Sequence, residues 1–185
     1  MTQQTPVRSP DDWDWLSESR QLAFDKLFPV TTHPGQLLAY RSYRDLYQDV
    51  PERYLRIERS SVPDTTGDAF LATVVVPIGR SVQQQLLDLH RSRPDDSLEA
   101  LLTEVRVQRA TAHSPACGGL KASLDVLSTQ GIAIPTRHLI VLHPDVHRFV
   151  IDLPSADIDV TLTDNRAALV RWATKAIAAV RRCSG

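Results

Sequence analysis

The sequence predicts an α+β fold: a mainly antiparallel sheet packed with helices, with an amphipathic helix near each end of the chain. Three observations predict it. Strand-like runs cluster between 36 and 78 and again between 138 and 163. Helical stripes of apolar residues precede the first cluster and follow the second. Strands and helices also mix without the strict alternation that builds a parallel sheet. The 185 residues suit a single α+β domain over 10–185, behind a polar, flexible N-terminus at 1–9.

The elements follow in order. Ser9-Pro10-Asp11-Asp12 places a cap residue, a proline and two acids where a first helical turn favours them. Trp13, Leu16, Ala23 and Leu27 then form a stripe that runs to Phe28, and Pro29 stops the helix. Strands are expected at 36–45, 54–60 and 70–77; the last is a near-continuous, Val-rich run of the kind buried in the middle of a sheet. Ser81 caps a helix carrying Val82, Leu86 and Leu89, and Arg93-Pro94-Asp95-Asp96 breaks it before a second helix with Leu98, Leu101 and Leu102. A strand is placed at 104–112, and a helix opened by Ser114-Pro115 carries Leu120, Leu124 and Leu127, with Gly131 just past its end. A strand at 138–142 precedes a hairpin of 148–153 with 157–163. Asp164 is expected to cap the final helix, whose inner face is Leu169, Trp172, Ala173, Ala176 and Val180. Helices are expected on one face of the sheet.

Composition excludes some functions. With 21 basic and 22 acidic side chains the net charge is -1, so the basic excess of a general nucleic-acid binder is missing. The longest apolar run, 69–78, is about 10 residues, half of what a membrane helix needs. The polar Met1-Thr2-Gln3-Gln4 lacks the order of a secretory signal, so a soluble protein of the cytoplasm is expected. Glycine-rich phosphate loops and HExxH, CxxC and GxSxG motifs are absent, and no cofactor or metal is expected.

Five groups of residues carry chemistry. Cys117 and Cys183 are the two cysteines. Cys117 falls near a helix start, where free N–H groups stabilise a thiolate, and His143, His147 and Asp152 follow it in the chain order of a cysteine hydrolase. Against that, Cys117 shares a helical face with Leu120, Leu124 and Leu127, which favours two buried, inert thiols; a Cys117–Cys183 disulfide is the third possibility, and would make the two helices antiparallel and require an oxidising compartment. His113 and Cys117, with His143 and His147, offer four zinc-type ligands in two pairs, although Pro144 interrupts the second pair. Asp152, Asp157 and Asp159 place carboxylates on a hairpin, where a solvated face is the simpler reading. The N-terminal helix carries Trp13, Trp15, Phe24 and Phe28, and Trp15 lies off the main stripe.

The remaining group is a Tyr/Arg-rich segment. Tyr40, Tyr43, Tyr47 and Tyr54 are all four tyrosines of the chain, interleaved with Arg41, Arg44, Arg53, Arg56 and Arg59. Acids offset most of the charge, so this is no phosphate-binding patch. Tyr and Arg anchor protein interfaces, and they also pair across strands on half-exposed sheets. The expected function is therefore a small protein-binding module without catalytic activity, of inhibitor, immunity-type or adaptor kind. Its binding residues would be Tyr40, Tyr43, Arg44, Tyr47, Tyr54 and Arg56. The alternative is a cysteine-dependent hydrolase or acyltransferase using Cys117, His143 or His147, and Asp152 or Asp159.

Overall fold

A computed structural model describes residues 10–31, 34–44, 51–60, 69–129, 145–153 and 156–184. Among the described residues five α-helices pack on one six-stranded antiparallel sheet. In chain order these are α1 (Pro10–Leu27), β1 (Gln36–Arg44), β2 (Arg53–Arg59), β3 (Phe70–Pro77), α2 (Val82–Ser92), α3 (Leu98–Leu102), β4 (Val107–His113), α4 (Gly118–Thr129), β5 (Asp145–Leu153), β6 (Ala156–Leu162) and α5 (Ala168–Cys183). The α+β class and the helices near both ends are as the sequence implied. The strand order is β4-β3-β2-β1-β5-β6. The first four strands form a meander, and the β5–β6 hairpin adds to the free edge of β1.

Helices cover both faces of the sheet, not one. On the first face Leu38, Tyr40, Leu55, Ile57, Val74 and Phe149 meet Leu120 and Leu124 of α4 and the apolar stripe of α5. On the second face Ala39, Tyr54, Val75 and Val150 meet Phe24 and Phe28, with Val82, Leu86 and Leu101 from α2 and α3. Side chains alternate across a strand, so a strand covered on both sides is buried at successive positions. In β1 every residue from Leu38 to Ser42 is buried. Arg41 hides that pattern in the sequence. It is only 2% exposed, donates to Asp25 Oδ1 at 3.2 Å and to the Phe28 carbonyl at 3.4 Å, and lies over the rings of Phe24 and Tyr43.

Local chemistry explains most boundaries. The Ser81 hydroxyl accepts from Gln84 N at the start of α2, as the sequence suggested. The buried Glu52 carboxylate adds to that cap, accepting from Val82 N at 2.8 Å and Gln83 N at 3.4 Å. Ser97 caps α3 by accepting from Ala100 N. Asp164 does not cap α5: its carboxylate accepts from Arg166 N and its carbonyl from Ala167 N, so it closes the turn ahead of the helix. Trp15 stacks on His90 with ring centroids 4.0 Å apart, joining α1 to α2. The side chain of Trp13, the Ser9 cap, Gly131 and the expected strand at 138–142 lie outside the described residues.

The helix expected from Ser114 is broken. Ser114–Ala116 form a short 3₁₀ turn, Cys117 is extended, and α4 begins at Gly118. Cys117 is bonded to Cys183, with 5.8 Å between their Cα atoms. Trp172 Nε1 donates to the Ser123 carbonyl at 2.6 Å, and a Cβ on Gly119 would sit 3.2 Å from the Ala179 Cβ. These three links, 172 to 123, 179 to 119 and 183 to 117, run in opposite senses along α4 and α5, so the helices pack antiparallel. Gly119 permits their closest approach. Among the described residues, no helix is long and apolar enough to cross a membrane.

Candidate functional site

Strand register assembles a polar cleft where α5 begins. On β1, Tyr40, Ser42 and Arg44 alternate onto the first face. Ser42 lies opposite His147 of β5 and Arg53 of β2, and Arg44 lies opposite Asp145. The turn before α5 brings Asn165 over these strands, and Val170 and Thr174 of α5 close one wall. Pro51 and Tyr43 complete the lining of a cleft of ≈ 190 Å³.

One hydrogen-bond chain runs through it. Arg44 holds Asp145 through two bonds, from Nε to Oδ1 and from its terminal nitrogen to Oδ2 at 3.0 Å. Asn165 Nδ2 donates to Asp145 Oδ2 at 2.6 Å. Its Oδ1 faces His147 Nε2 at 2.5 Å, and His147 Nδ1 faces the Tyr40 hydroxyl at 3.0 Å. The direction of the chain follows from its end. An ionised Asp145 only accepts, so Asn165 must offer it the amide N–H and turn its oxygen to His147. Nε2 therefore carries the imidazole proton, and Nδ1 accepts from Tyr40.

The charge states agree with this order. Burial pushes the His147 pKa below its ordinary value, against the pull of the Asn165 bond and the Asp145 charge. Burial raises Tyr40, although a Ser42 hydrogen bond and the Arg53 charge oppose it. For Asp145, burial acts upward but the bonds from Arg44 and Asn165 and the nearby positive charge outweigh it, so its carboxyl lies below the usual range. Arg44 is raised by the same pairing. The cleft thus holds a neutral imidazole, a neutral phenol and one closed ion pair. Arg53 remains: its side chain is exposed, and it forms no hydrogen bond or ion pair among the described residues.

The residues nominated from the sequence divide. Tyr40 is 1% exposed and forms the floor of the cleft. Tyr43 is half-buried at the rim, its ring 5.2 Å from that of Phe24. Arg44 lines the cleft but is committed to Asp145. Tyr54, 3% exposed, is a core residue of the second face and donates to the Pro29 carbonyl at 2.9 Å. Arg56 is half-buried and pairs with Glu58 at 3.2 Å. Docking α1 accounts for Arg41, Tyr43 and Tyr54, so much of the Tyr/Arg segment is structural. Tyr47 lies outside the described residues.

The hydrolase set does not come together. Cys117 is neither a free buried thiol nor a nucleophile, because its sulfur is bonded to Cys183. His143 lies outside the described residues. His147 and Asp152 differ by an odd number of positions on β5, so their side chains leave opposite faces of the sheet. Asp159 lies on that second face and holds Arg148 through two bonds at 3.1 and 2.7 Å. His113 ends β4, and among the described residues no group of three or more His, Cys, Asp or Glu is placed to hold a metal.

The cleft residues absent from the nominated set are Ser42, Pro51, Arg53, Asp145, Asn165, Val170 and Thr174. Two signals were present: polar residues at spacing two follow Tyr40 on one strand, and Asp145 and His147 show the same spacing on another. No family model, curated protein or solved structure matches this chain.

Proposed function

We propose that this chain is a non-catalytic binding module that docks a protein partner at the cleft between β1, β5 and the start of α5. The observation that carries the proposal is the cleft's size together with the commitment of its groups. At ≈ 190 Å³ it falls below the roughly 300–1,000 Å³ of pockets that enclose cofactors or other small molecules. It has room for one side chain of a partner. Its imidazole is bonded at both nitrogens and its carboxylate is paired with Arg44, which supports a fixed surface for docking. Tyr43 and Arg53 at the rim are the residue types that anchor interfaces. An inhibitor, an immunity-type protein or an adaptor would use such a site in the same way. The Cys117–Cys183 bond supports an oxidising compartment in place of the cytoplasm expected from the polar N-terminus, because structural disulfides are rare in reducing cytosol.

Site-directed photo-crosslinking in cells that make the protein tests the proposal. A benzophenone side chain replaces Arg53, and a control replaces Ala100, an exposed residue of α3 on the opposite layer. The expected result is a discrete adduct of one protein from position 53 and none from position 100. No adduct from position 53, or the same adducts from both, would overturn it.

A further inference from the structure

We infer that the group this cleft takes from its partner is a carboxylate on an acidic side chain, anchored by Arg53. The inference rests on the cleft being the docking site and adds what docks there. Charge balance carries it. Arg44 and Asp145 cancel through two bonds. His147 and Tyr40 are bonded to each other and uncharged. Asp164 keeps its charge and acts on His147, but it is not among the residues that line the cleft, and its carboxylate accepts from Arg166 N at 2.7 Å. Among the residues that line the cleft one positive charge is left, on a guanidinium whose donors form no hydrogen bond or ion pair among the described residues.

Arg53 lies on β2 directly across from Ser42, on the same face of the sheet as Tyr40, and lines the cleft. A planar guanidinium with free donors suits the two oxygens of a carboxylate. The source follows from the kind of donor. Chain ends are commonly held in nests of backbone N–H groups, whereas the donors here are side chains. The cleft volume also suits an aspartate or glutamate side chain better than a longer acid.

Titration with blocked amino acids, followed by the backbone amide resonances of Ser42, Arg53 and Asn165, tests this. The probes are N-acetyl-glutamate α-amide for the acidic side chain, N-acetyl-glutamine amide as its neutral isostere, and N-acetylglycine for a chain end. The expected result is saturable shifts with the glutamate probe at a Kd of roughly millimolar, and weaker binding by about tenfold or more in Arg53→Gln. Amide resonances away from the cleft should stay unchanged in that variant, because Arg53 is exposed and forms no hydrogen bond or ion pair among the described residues. The inference is overturned if the glutamate probe does not saturate, if the glutamine probe shifts the same resonances equally, if Arg53→Gln binds as well, or if N-acetylglycine binds more tightly. An adduct from position 53 combined with any of these outcomes would keep the docking site and discard the carboxylate.

Discussion

The Cys117–Cys183 bond allows a worked prediction. It closes a loop across a sequence separation of 66. Chain entropy for a loop of that length puts its contribution at about 4 kcal/mol, between the values for short and very long loops. For a domain of this size, ~2–4 °C per kcal/mol translates this into a fall in Tm of about 8–16 °C on cutting the bond. Cys183→Ser is the suitable variant, because Cys183 is exposed while Cys117 is 1% exposed and would leave a hole if shortened. The assay is thermal unfolding by circular dichroism of three samples: oxidised wild type, wild type under a thiol-free reductant, and Cys183→Ser. Intact mass should show the oxidised protein two hydrogens lighter. Reduced and variant proteins should melt together, well below the oxidised form. A wild-type mass of two free thiols would refute the bond. Three Tm values within about 2 °C would refute the entropic estimate.

Other consequences follow. Because His147 lies below its ordinary pKa when folded, the unfolded chain takes up the proton first as the pH falls. Its contribution is present above about pH 6.5 and is lost below it, down to the lower folded value. Tm should therefore drop between pH 7 and 5 by less in His147→Gln than in wild type, and equal slopes would discard this account. Tyr40→Phe leaves the buried Nδ1 acceptor without its donor and should cost about 1–3 kcal/mol in chemical denaturation. Glu52→Ala strips the carboxylate from the first N–H groups of α2 and should cost about 2 kcal/mol, measured the same way. Arg41→Met removes a buried charge whose Nε has no hydrogen bond and returns Asp25, 53% exposed, to solvent; Tm should stay level or rise.

Particular residues show what a sequence can and cannot carry. The Val-rich β3, the Ser81 cap and the apolar stripe of α5 were legible because each is a local pattern read within a few residues. The apolar run of β3 was legible, but helices on both faces were not, and in β1 Arg41 masks the burial by occupying a core position through its pairing with α1. The order Cys117, His147, Asp152 imitated a hydrolase, yet strand parity sends His147 and Asp152 to opposite faces. The cleft itself depends on β1 meeting β5, and no local signal states that Tyr40 will lie beside Phe149.

That same pairing shapes how the chain must fold. β1 occupies the middle of the sheet, with β2 on one edge and β5 on the other. Its second partner is made about a hundred residues later; Tyr40 and His147 are separated by 107 positions. At ~5–20 residues per second, a ribosome takes on the order of 5–20 s to supply it. For that interval the meander β1–β4 can form, while β1 offers unpaired amides and carbonyls beside Leu38 and Tyr40. Arg41 and Arg44 stand on that edge as charges that oppose its pairing with another nascent copy. The groups that later seat α1 and close the cleft thus also guard the open edge while the chain is being made.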